Sequence, residues 1–139
     1  MSATTTMRPT ARLGTTPRRV RGVAVAAAVL TTGTLYVAGR ALGTDFKLTD
    51  PGKAEAHQLI LPEIAVFTLV FALLGWGTLA LLERFTRRAT TTWTALAGAV
   101  LLLSLVPIVL EQATTDTKVL LAMIHTAVAA VLVPALRRR

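Results

Sequence analysis

Five residues have the side chains and the spacing to do chemistry beside long apolar stretches: Arg40, Glu63, Ser104, Glu111 and His125. His125 is the ionisable residue set deepest within such a stretch. It lies six positions beyond Val119, about 9 Å along a helix axis. An ionisable group at that depth in lipid is a functional hypothesis by default. Helical spacing puts Ala122, His125 and Ala129 on one face, and small residues favour helix contact, so the imidazole is expected to face the neighbouring helices. In the preceding stretch Ala97, Ser104 and Glu111 recur every seven residues, with Ser104 at a depth close to that of His125. Glu63, Arg40 and His57 belong to the same end. Together they could form an ion-pair network, a proton site or the mouth of a polar cavity, as a small transporter or proton-coupled carrier needs. The competing reading is a neutral His125 bonded to Ser104, or to a carbonyl freed by Pro107, with the carboxylates and Arg40 facing water and headgroups. That is ordinary helix packing and is preferred.

Other chemistries lack their residues. The chain has no cysteine, which excludes disulfides, thiol catalysis and thiolate metal sites. There is no phosphate-binding glycine loop, no H-E-x-x-H and no serine nucleophile elbow. Two histidines, one of them in a loop, are too few for a metal centre. No catalytic residue, cofactor or metal is expected.

The stretches that must position these side chains dominate the sequence. Of 139 residues 53% are apolar and 16% charged, and mean hydropathy is +0.62; a soluble domain carries about 25% charged residues. Four blocks carry no charge: Gly22–Gly39, Ile64–Leu82, Ala89–Leu110 and Val119–Leu136. Their lengths of 18, 19, 22 and 18 residues approach the roughly 20 needed to cross a bilayer as helix, and their flanks supply the rest. Backbone amides in lipid must be satisfied within their own segment, which a helix does and an isolated strand does not. None of the blocks alternates like a barrel strand. The expected fold is all-α: an antiparallel four-helix transmembrane bundle with helices at about 22–42, 62–83, 89–110 and 118–136. A disordered basic tail is expected over 1–21 and a basic tail over 137–139. The first block is longer than the apolar run of a cleaved signal peptide and is read as a span.

The connections fit a bundle. Six residues from Glu83 to Arg88 and eight from Glu111 to Lys118 leave room only for tight antiparallel hairpins. The longer segment Gly43–Leu61 contains Asp50-Pro51-Gly52, a turn or a helix start, and Lys53 to Ile60 has the length of a short interfacial helix. Pro62 suits a first helical turn, and Glu63 suits the positive end of the helix dipole. Gly39 and Gly43 form a G-x-x-x-G. With Ala24/Ala28, Gly75/Gly77 and Ala95/Ala99 they permit close backbone approach. Pro107 is expected to kink the third helix, and Trp93 to sit at the inner interface.

Net charge is +8. The basic residues lie at block ends with no aromatic interleaving, so anionic lipid headgroups are the expected partner and nucleic acid is not. Eleven of the fifteen Lys and Arg residues fall in the N-terminal tail, the Glu83–Arg88 loop and the C-terminus. Arg40, Lys47, Lys53 and Lys118 fall on the other side. The positive-inside rule then puts both termini in the cytoplasm. Glu83, alone among acids on the arginine-rich side, is expected to pair with Arg87 one turn on.

The second half carries a resemblance. The stretch Leu81-Leu82-Glu83-Arg84-Phe85-Thr86-Arg87-Arg88-Ala89, then Trp93, Leu101-Leu102-Leu103-Ser104-Leu105 and Pro107, resembles an uncharacterised actinobacterial family of four-helix membrane proteins, domain of unknown function 6069. So do Ala113-Thr114-Thr115, Met123-Ile124-His125 and Ala129 to Leu136. The match spans roughly residues 60–136. It implies a bacterial inner-membrane, multi-pass protein and brings no known activity or substrate. The expected function is that of a non-enzymatic membrane component acting through helix packing, with itself or with a membrane protein partner.

Overall fold

The computed structural model describes residues 17–138. Four helices occupy most of them: α1 (Pro17–Ala41), α2 (Leu61–Phe85), α3 (Ala89–Leu110) and α4 (Thr115–Arg137). All four are long and apolar enough to cross a membrane. The α3 limits agree with the apolar block, because charged turns bound it on both sides.

Helix α1 departs from expectation at its start. Residues 17–21, expected in the basic tail, are helical. Pro17 suits a first helical turn, where a missing N–H costs nothing, and the arginines that follow are good helix formers. At the other end Arg137, expected in the C-terminal tail, is the last residue of α4 and Arg138 caps it; residues 1–16 and Arg139 lie outside the described residues. Helix α4 also starts earlier than expected, at Thr115, because Thr114 caps it: its hydroxyl accepts the Thr117 N–H at 3.4 Å.

The helices form a closed ring in which α1 packs on α2 and α4, and α3 packs on α2 and α4. Short connections make neighbours antiparallel, and two apolar clusters divide the bundle lengthwise. One joins Tyr36, Phe46, Ile64, Ile108, Leu121 and Ile124. The other joins Leu79, Trp93 and Leu136, with Trp76 packed against them. The first cluster lies at the end that carries the α1–α2 and α3–α4 connections, here the hairpin end, and the second at the end that carries the α2–α3 turn, the arginine end. Outward faces remain apolar; Phe67, Phe71, Leu102, Leu103 and Val109 are all exposed.

The segment between α1 and α2 forms a cap and contains no helix. Two short strands, β1 (Lys47–Leu48) and β2 (His57–Gln58), pair antiparallel. Asp50-Pro51-Gly52-Lys53 is a tight turn: the Lys53 N–H donates to the Asp50 carbonyl at 3.0 Å, and Gly52 has φ +86°. Proline in second place and a positive-φ glycine in third specify a type II turn. The helix start offered by these residues, and the interfacial helix over Lys53 to Ile60, are therefore not formed. Thr49 and Gln112 exchange backbone hydrogen bonds, both at 3.0 Å, which fastens the cap to the α3–α4 connection.

Phe46 is the plug of this cap. It is fully buried, and its ring centroid lies 4.6 Å from that of Tyr36. Its backbone is left-handed, φ +52°, a conformation that costs a side-chain-bearing residue about 1–2 kcal/mol. Burying a phenyl ring returns about 1.5–3 kcal/mol, so the strained backbone is sustained by the contact it creates. Tyr36 donates its hydroxyl to the Leu59 carbonyl at 2.9 Å, joining α1 to the far side of the cap.

The G-x-x-x-G pair divides between two roles. At Gly39 a Cβ would run into the Leu120 side chain of α4 and come within 2.9 Å of the Phe46 ring, so its bare backbone admits both. Gly43 ends α1: its N–H donates to Arg40, the Thr44 N–H donates to Gly39, and its φ is +91°. This is a Schellman cap, in which glycine is favoured for its freedom at positive φ.

Candidate functional site

The five residues singled out by type and spacing are placed at or below the hairpin end, and their polar atoms find partners separately. His125, half-buried on α4, directs Nδ1 to the Leu121 carbonyl of its own helix at 2.8 Å. Ser104 donates to the Leu101 carbonyl of α3 at 2.7 Å. Neither takes the bond expected between them, and neither reaches the Leu103 carbonyl, which Pro107 leaves without its usual donor. The reason is local. A hydroxyl or imidazole within a helix can satisfy itself on the preceding turn without waiting for a partner helix.

Arg40 donates to the Thr44 and Asp45 carbonyls at 3.3 and 3.2 Å, bracing the exit from α1. Glu63 receives His57, whose Nε2 is 3.0 Å from both carboxylate oxygens, and it accepts the Ile60 N–H at 3.4 Å. This fastens strand β2 to the start of α2. Glu111 is half-buried at the end of α3, where its backbone N–H donates to the Pro107 carbonyl at 2.8 Å. Among the described residues, no hydrogen bond or ion pair joins any two of the five, and no three His, Asp or Glu side chains converge as metal ligands.

The strongest polar contact of the bundle lies at the opposite end. Arg21 on α1 donates Nη1 to Glu83 Oε2 at 3.0 Å and Nη2 to Glu83 Oε1 at 2.5 Å. Its side chain is 9% exposed against 34% for Glu83. Glu83 therefore takes Arg21 across the bundle in place of the expected Arg87 on its own turn. A two-pronged guanidinium–carboxylate pair is a directional, charge-assisted contact. It also lets Arg21 lie buried, which an unpaired guanidinium would not tolerate. Arg21 Nε is buried and has no hydrogen-bond partner among the described residues. The sequence did hold a signal for this pair: a single acid on a side with eleven basic residues is a natural counter-ion.

Three further contacts join the helices. The Trp93 indole donates to the Gly75 carbonyl of α2 at 2.8 Å. Trp93 is thus buried in the bundle, 4% exposed, with its indole turned to α2. A Cβ at Gly75 would stand 3.9 Å from the ring, an ordinary van der Waals contact, so the indole does not require glycine there. The Thr68 hydroxyl lies 3.3 Å from that of fully buried Thr32 across the α1–α2 contact. Lys118 donates to the Val109 carbonyl at 3.0 Å, satisfying one of the acceptors left open at the end of α3. Outside the spans, the Asp50 carboxylate, hydrogen-bonded to Lys53 at 2.5 Å, raises the ammonium pKa above its ordinary value.

This arrangement holds four helices and a cap in register. The hydrogen bonds named above serve as fasteners between neighbouring segments. Compared with known proteins, residues 13–139 match the model of a family of unknown function, DUF6069. No curated protein and no solved structure matches the chain.

Proposed function

The chain belongs to this family of unknown function, and from that premise we propose a non-enzymatic membrane component that acts through helix packing, with its own copy or with a membrane protein partner. We place it in a bacterial inner membrane with both termini in the cytoplasm, following the arginine distribution. The observation that carries the reading is a groove on the outward face of α2, lined by Val70, Leu73, Leu74, Gly77, Thr78 and Leu81. At its floor a Cβ on Gly77 would meet nothing within 4 Å. A helix surface notched by glycine admits a second helix closely, and in lipid such close packing is the main source of association. The local bonding of His125, Ser104 and Glu63 supports packing over carriage.

The absence of cysteine makes the test clean. Thr78→Cys, alone in an otherwise cysteine-free chain, should crosslink to a second copy or to a partner in native membranes. Adding Gly77→Leu should abolish the crosslink while the bundle stays folded, since that side chain points into open space. A Thr78→Cys protein that remains uncrosslinked under oxidation, and that is monomeric in mild detergent, overturns the reading.

A further inference from the structure

We propose that the α2–α3 turn is a binding site for the phosphate of an anionic membrane lipid, with Arg84, Arg87 and Arg88 as its ligands. The inference rests on the reading that this end of the bundle lies in the headgroup layer, and it assigns a specific site there. Arg84 lies in the last turn of α2, and Arg87 and Arg88 lie in the α2–α3 connection; all three are exposed and form no ion pair among the described residues. The acid next to them, Glu83, has its carboxylate engaged by both terminal nitrogens of Arg21. The pair with Arg21 neutralises Glu83, the acid beside the turn, while the three guanidiniums form no ion pair among the described residues.

The turn is also held in shape. The Thr86 N–H donates to the Leu82 carbonyl at 2.9 Å, and the Thr86 hydroxyl accepts the Arg88 N–H at 3.2 Å. Glu83, Arg84, Phe85, Thr86, Arg87 and Ala89 line an open depression. Phe85 is 80% exposed and Leu81, one turn above, is 56% exposed. Arg84 and Arg87 at a depression, with Arg88 next to them in the turn and exposed Phe85 and Leu81 on the span, match a molecule with a phosphate head and an acyl tail. A planar, permanently charged fork suits phosphate oxygens, and basic groups beside a span are drawn to anionic lipid. A soluble phosphate would gain nothing from Phe85 and Leu81, which is why a lipid is the chosen ligand.

The test is lipid retention by purified full-length protein. Native mass spectrometry would follow exchange into micelles containing equal phosphatidylglycerol and phosphatidylcholine. Wild type should retain phosphatidylglycerol, and R84Q/R87Q/R88Q should lose it by roughly tenfold or more. R18Q/R137Q/R138Q removes the same charge from exposed arginines at the same end and should retain it within about threefold. Indole fluorescence of Trp76 and Trp93 checks folding. If the triple variant misfolds, the single variants answer the question, each expected to lose about fivefold. Unchanged retention in the first variant overturns the site, as does equal loss in both triples. Displacement by millimolar glycerol phosphate as readily as by lipid assigns the site to soluble phosphate and overturns the lipid proposal. Release of the protein from membranes by alkaline carbonate would instead overturn the membrane reading beneath it.

Discussion

Replacing Glu83 by leucine leaves Arg21 buried without its counter-charge. Removing one partner from a fully buried pair costs about 3–5 kcal/mol. Arg21 fits that case with 9% of its side chain exposed, whereas Glu83 is 34% exposed. A carboxylate with a third of its surface accessible is already partly solvated, so the cost scales down to about 2–3 kcal/mol. This corresponds to a roughly 30- to 150-fold fall in the folding constant. Arg21→Met alone strands a carboxylate that can turn outward and should cost less, about 1–2 kcal/mol. The double variant replaces the pair with apolar groups and should return to within about 1 kcal/mol of wild type. The assay is reversible unfolding in mixed micelles under added dodecyl sulfate, followed by the indoles of Trp76 and Trp93, which belong to the cluster at this end. The reasoning is refuted if Glu83→Leu costs less than about 0.5 kcal/mol, or if the two single effects simply add in the double variant.

Gly39→Ala should destabilise the bundle by about 1–3 kcal/mol, because Leu120 and the Phe46 ring must both move; thermal unfolding in detergent reads this, and an unchanged midpoint argues against the tight α1–α4 approach. Trp93→Phe removes the indole donor to Gly75 and should cost about 1 kcal/mol in the same assay, visible also as faster amide exchange around α2. Phe46→Ala should cost about 3–5 kcal/mol and open the cap, read as proteolysis between residues 46 and 58 under conditions where wild type resists. Lys53 has a folded pKa raised above 10.5 by Asp50. Its contribution to cap stability is therefore full below that value and is lost as pH rises through the higher folded value, so Lys53→Gln should weaken the alkaline dependence of cap protection. Reconstituted wild type and His125→Ala should give the same flux as empty liposomes, and a pH-dependent flux abolished by the variant would restore the carrier reading.

The apolar blocks alone determined the four helices. A span must bond its own amides in lipid, so an uncharged run of sufficient length has one structural outcome, and α3 follows its block from Ala89 to Leu110. Turn chemistry was equally local: Pro51 and Gly52 specify their bend, and Gly43 specifies the end of α1. Tertiary structure alone decided which polar groups meet. Glu83 was within reach of Arg87 by helical spacing, yet took Arg21, which lies 62 positions earlier in the chain; the ring of helices set that choice. His125 and Ser104 shared a depth but turned to their own carbonyls, because a bond one turn away needs no second helix to be positioned. Trp93 lies near a block end in the sequence, and its rotation into the bundle, with the indole bonded to the Gly75 carbonyl of α2, was set by the packing. Hydropathy acts along the chain and is readable there. Pairing acts across the bundle, where the rotation and approach of each helix choose among partners that the sequence leaves equivalent.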